Sequence, residues 1–194
     1  MLLDEVGLED KSLDLVVDDP DGEVGIETIL VRAGDGPVLQ VPVTYRDAPL
    51  EGAEAALVGT TQHSVLGERW VYDGAGDPAY LAAVATAVLA GGHQAEQFVE
   101  IDGERVVREP TAVVAGSGAP GTPNVPPPAL DEISIRQGAG VTVVTAGSLQ
   151  LVIARALGDD DALAAGVDES SEHEILAGTW PGQPDLRTLV LVGA

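Results

Sequence analysis

Three histidines, a Ser–His neighbour pair, a run of aspartates and a glycine-rich segment are the residues here whose types invite a chemical reading. Histidine titrates near neutral pH and ligates metals, so His63, His93 and His173 come first. They lie far apart and in no metal-ligand spacing. His63, Ser64 and Asp73 supply the letters of a hydrolase triad, but Ser64 lies in no Gly-x-Ser-x-Gly elbow, the sharp turn that exposes such a nucleophile. His63 is therefore read as a surface or hydrogen-bonding residue. Gly116-Ser117-Gly118-Ala119-Pro120-Gly121 matches G-x-G-x-x-G letter for letter. That fingerprint works where its glycines open a helix facing a pyrophosphate, and here a coil ending in Pro126-Pro127-Pro128 follows instead. Asp159-Asp160-Asp161 lacks the alternating ligands, central Gly and closing Glu of a calcium loop, and reads as a solvated acidic turn. Paired carboxylates can be chosen almost anywhere in so acidic a chain, so they point to no glycoside chemistry. No catalytic residue, metal or cofactor is expected.

Trp70 and Tyr72 offer a different chemistry, an aromatic surface. Residues two apart on a strand share a face, so the two rings can form one aromatic surface for a sugar or a partner protein. In a chain with so few aromatics, the favoured reading is that they are the bulky part of the core. The candidate ligand- or partner-binding residues are Trp70, Tyr72, His63 and Arg69.

The elements that must hold these residues are mostly strands. Runs at 13–17 and 24–32 flank the turn-rich Asp18-Asp19-Pro20-Asp21-Gly22, and a third run at 38–45 follows Asp35-Gly36-Pro37. Short connections between successive strands require antiparallel pairing. Segments 53–61 and 68–73 continue the pattern. A helix begins at Asp77-Pro78, with Asp as N-cap and Pro at the first helical position. Tyr80, Leu81, Val84 and Val88 recur at helical spacing, and Gly91-Gly92 supplies the stop. Runs at 97–101 and 105–107 around Asp102-Gly103 predict a hairpin. Residues 116–128 form a Gly/Pro-rich loop, and further strands are expected at 132–136, 141–145, 149–155, 174–179 and 188–192. The acidic segment 158–174 is expected to be a solvated connection.

Composition sets the outer limits. At 194 residues with 45% hydrophobic side chains, the chain can bury a sizeable core. Thirty-two acidic against nine basic residues give a formal charge of −23, which repels phosphate backbones and anionic lipid head groups. Nucleic acid and membrane are thus not expected as partners, and a basic protein face or a cation is the better candidate. Lys11 is the one lysine. The absence of cysteine excludes disulfides and thiolate chemistry. The opening Met1-Leu2-Leu3-Asp4-Glu5 has no basic start and no long apolar run, so a cytoplasmic location is expected.

The stretch Thr60-Thr61-Gln62-His63-Ser64-Val65-Leu66-Gly67-Glu68-Arg69-Trp70-Val71-Tyr72-Asp73, running into Asp77-Pro78 and an Ala-rich helix, resembles the N-terminal cap domain of bacterial maltokinases. The resemblance covers residues 12–92, with 95–194 as an additional sheet region. It implies an α+β fold, a curved and mostly antiparallel sheet with one main helix packed on it, here extended by further strands. Residues 1–194 are expected to form one cap-like domain, in which the Pro-rich loop at 116–128 is a candidate divide between two lobes. In the full enzymes such a cap adjoins the nucleotide-binding lobe without supplying catalytic residues. The paired catalytic-loop Asp and Asn, the metal-binding Asp motif and a phosphate-holding Lys are missing from this sequence. The resemblance thus implies a non-catalytic module of carbohydrate metabolism that docks on, or regulates, a separate sugar kinase or other α-glucan enzyme. The alternative is a sugar-binding protein that uses the concave sheet face.

Overall fold

The computed structural model of the chain describes residues 13–16, 24–32, 34–101, 103–167 and 172–193. Lys11, the expected turn at 18–22 and Asp102 of the hairpin turn lie outside the described residues. The first five strands are β1 (Leu13–Val16), β2 (Gly25–Arg32), β3 (Val38–Arg46), β4 (Leu57–His63) and β5 (Gly67–Asp73). They form one antiparallel sheet in the order β1-β2-β3-β5-β4. The helix α1 (Pro78–Leu89) follows, and then a separate hairpin of β6 (Gln97–Ile101) and β7 (Glu104–Arg108).

A second sheet takes the rest of the chain. Its strands are β8 (Val113–Gly116), β9 (Ile133–Gln137), β10 (Val141–Ala146), β11 (Leu149–Ala154), β12 (Glu174–Trp180) and β13 (Gln183–Gly193). All of its pairings are antiparallel, in the order β8-β12-β13-β11-β10-β9. The fold is thus α+β, mostly antiparallel sheet with one main helix, as the family resemblance implies. β8 has no counterpart among the expected strands, because a four-residue run between Pro110 and Gly118 is too short to show a period.

The helix α1 lies against β8, β12 and β13 of the second sheet. Its Leu81, Val84 and Val88 join Ile26 and Leu30 of the first sheet and Val144, Leu151 and Leu189 of the second in one buried cluster. The alanines of α1 leave little bulk between them, which lets the helix lie close. The sheets are also tied through backbone: the Gln40 N–H donates to the Arg155 carbonyl (2.9 Å) and the Leu157 N–H to the Val38 carbonyl (2.8 Å).

The runs of β10 and β11 are apolar on both faces for a reason found beneath the sheet. Val143, Val152 and Ala154 point away from the main cluster and pack with Leu163. Leu163 belongs to α2 (Asp160–Ala164), a short helix inside the segment expected to be a solvated connection. Asp159 caps it, its Oδ1 accepting from the Ala162 N–H at 3.0 Å. The aspartate run thus starts a helix whose one buried side chain, Leu163, covers the sheet, and the expectation of plain solvated chain for 158–174 is corrected.

The glycine-rich motif also has a structural task. The Gly118 N–H donates to the Val88 carbonyl (3.0 Å) and the Gly116 N–H to the Gly92 carbonyl (2.9 Å). A Cβ on either glycine would run into backbone of Ala87, Val88 or Leu89. These glycines therefore close the C-terminal end of α1, where free carbonyls make the potential negative. That is the wrong end of a helix for a phosphate. Ser117 between them is fastened to β12, donating to Glu174 and accepting from the Ile175 N–H.

Candidate functional site

Two aspartates bracket the 3-10 turn at Gly74–Gly76, which carries the chain from β5 into α1. Asp77 is fully buried and is the N-cap of α1, accepting from the Ala79 N–H at 2.9 Å. Arg46, the last residue of β3, grips both of its oxygens: Nη2 donates to Oδ1 and Nε to Oδ2, each at 2.7 Å. The Thr44 hydroxyl donates to Oδ2 at 2.6 Å. A buried carboxylate is tolerable only when paired and fully hydrogen-bonded, and this one is.

Asp73 is the more open of the two, its side chain 36% exposed. Its Oδ1 accepts from the Ala75 N–H (3.0 Å), and Arg155 Nη2 donates to Oδ1 (2.7 Å) and Oδ2 (2.9 Å). Arg155 in turn donates through Nε to Thr142 Oγ1, and Thr142 donates to Gln137 Oε1. One polar chain thus runs from β5 across β10 to β9. Tyr80 stands buried nearby: burial pushes its phenol well above the ordinary tyrosine range, Arg155 and a hydrogen bond with Thr28 pull it down, and Asp73 raises it.

Beside Asp73 opens a groove of about 530 Å³. One wall is the segment Gly52–Val58 and the other is Leu130 with the side chains of Ile133, Ile135 and Gln137. The latter three are two residues apart along β9, so they share one face of that strand. Ala75 and Gly76 line the groove as well, and a Cβ on Gly76 would run into Ala56.

The sequence candidates are not brought together around this groove. Tyr72 is 2% exposed, inside the core, and its hydroxyl accepts from the Leu50 N–H at 2.7 Å. Trp70 and Arg69 are half-buried, and Arg69 donates to the neighbouring Glu68 carbonyl. His63 is exposed at the tip of the β4–β5 hairpin, where Nδ1 accepts from the Val65 (3.2 Å) and Leu66 (3.1 Å) N–H groups. Asp73 lies at the far end of β5, about 20 Å away at the usual rise per strand residue. His63, Ser64 and Asp73 are therefore not a triad. His93 pairs with β8, and the His173 ring packs against Gly193. Among the described residues, no three His, Cys, Asp or Glu side chains group as a metal site.

Arg46, Arg155 and Thr142 are not among the residues the sequence singles out. A signal for both arginines exists: in a chain with only nine basic residues each closes a largely apolar run, VLQVPVTYR and LQLVIAR, where a charge has to find a partner.

The fold and this seam define an α+β protein whose most buried acid among the described residues, Asp77, is spent on structure. Compared with known families, residues 9–77 match the maltokinase N-terminal cap domain. This supports the cap resemblance read from the sequence; the match runs from before β1 to Asp77, and residues 78–194 lie outside it. No curated protein matched the chain. Among the described residues, no helix is long and apolar enough to cross a membrane.

Proposed function

We infer that the chain is a non-catalytic, cap-like module that docks on, or regulates, a sugar kinase or another enzyme of α-glucan metabolism. The observation that carries this reading is the match of residues 9–77 to a domain that forms the N-terminal part of maltokinase. The chemistry of the seam supports it. Asp77 has no lone pair turned to solvent, Asp73 is shared with Arg155, and Tyr80 is buried with its proton held, so none is poised to move a proton to or from a substrate. The strong negative charge suits a basic protein face. A sugar platform on Trp70 and Tyr72 has less support, since the Tyr72 ring is inside the core. Co-expression with a maltokinase-type kinase, followed by size-exclusion chromatography, tests the reading. One co-eluting species is expected, and separate elution at micromolar concentration contradicts it.

A further inference from the structure

We propose that the groove between Gly52–Val58 and β9 is a docking slot for an extended partner segment that alternates apolar and basic side chains. This rests on the docking reading and names the surface and the chemistry that it uses.

The groove's lining suits such a segment. At about 530 Å³ it falls within the range of ligand sites. Its apolar surface includes side chains that remain open to solvent, Leu57 (41% exposed), Val58 (64%) and Ile135 (42%). No aromatic ring lines it, which removes the usual stacking surface for a sugar. The bordering strands suit it as well. β4 is the last strand of the first sheet and β9 the last of the second. Among the described residues neither has a strand partner on its outer side, so backbone groups next to the groove are open to an added strand.

Charge selects the segment's composition. Glu51 and Glu54 stand exposed along one wall, and Asp131 and Glu132 are exposed directly after Leu130 on the other. Hydrogen bonds from the Gly52 and Glu54 backbone hold the Glu54 carboxyl below its ordinary range, so it stays ionised. Asp73 adds a carboxylate that Arg155 occupies in part. Arg136 is the one basic residue on β9, and strand alternation turns it from the face that lines the groove. An apolar floor under acidic edges selects apolar residues alternating with Lys or Arg and rejects an acidic segment.

Fluorescence anisotropy with short labelled peptides tests this, using the whole chain at near-physiological salt. One probe alternates valine and arginine, and its counterpart alternates valine and glutamate. The basic probe is expected to bind and the acidic one not. Ile135→Asp and Ala55→Trp should each weaken the basic probe about tenfold or more, while Leu186→Asp, at an exposed position of β13 outside the groove, should not. Ala55 is exposed, so its variant tests the slot even if Ile135→Asp fails to fold. No binding by the basic probe, or equal binding by all variants, overturns the proposal; the latter means attraction to overall charge alone. A kinase that co-elutes equally well with the Ala55→Trp chain overturns the slot and leaves docking standing. A slot that binds the probe while no kinase co-elutes does the reverse.

Discussion

Asp77 and Asp73 lie four residues apart, each paired with an arginine from elsewhere in the chain, Arg46 at the end of β3 and Arg155 just after β11, and they differ in what else reaches them. Asp77 is closed, with a helix N-terminus, a hydroxyl and both faces of the Arg46 fork converging on a carboxylate out of reach of water. Asp73 accepts from one guanidinium nitrogen and one backbone N–H and keeps an open side on the groove. Burial separates a carboxylate committed to holding elements together from one that also shapes a surface.

Breaking the closed site should have the largest effect. Asp77→Ala removes the cap of α1 and strands Arg46 and Thr44, for an expected loss of about 3–5 kcal/mol in urea unfolding. Arg155→Met at the open site should cost less, about 1–3 kcal/mol, because water can replace part of what Asp73 loses. If the two losses prove equal, the distinction between the sites fails. Gly118→Ala probes the close of α1: its new Cβ meets helix backbone that cannot step aside, so a loss of about 1–3 kcal/mol is expected.

Tyr80 sharpens the comparison through pH. Its phenol stays protonated in the folded chain beyond the pH at which the unfolded chain ionises, near 10.0. Above that point the unfolded state binds fewer protons, so stability falls as pH rises and is fully present below it. Unfolding followed from pH 9 upward should show a slope approaching about 1.4 kcal/mol per unit, and Tyr80→Phe should flatten it. The smallest effect is expected at the hairpin tip. His63→Ala removes only an acceptor for two exposed turn amides and should change stability by less than about 0.5 kcal/mol.

The contrast between matched and unmatched regions shows what the sequence makes legible. Asp77-Pro78 declares its helix start because capping is local chemistry, and β2, β3 and β5 show their periods because each is long enough to do so. The short helix α2 was hidden because its single buried Leu163 carries no pattern of its own; only the far face of β10 and β11 calls for it. The arginine partners of Asp73 and Asp77 were hidden for a different reason. They are 82 and 31 residues away, and only sheet order brings them in. The groove is equally non-local, since its walls come from opposite sides of the Pro-rich loop.

The docking reading meets its most direct test in sedimentation velocity of this chain mixed with a maltokinase-type kinase, alongside a maltose and ATP turnover assay of the chain alone. A single faster boundary is expected for the mixture, with no phosphoryl transfer by the chain itself. Two independent boundaries, or turnover by the chain alone, would contradict the docking reading.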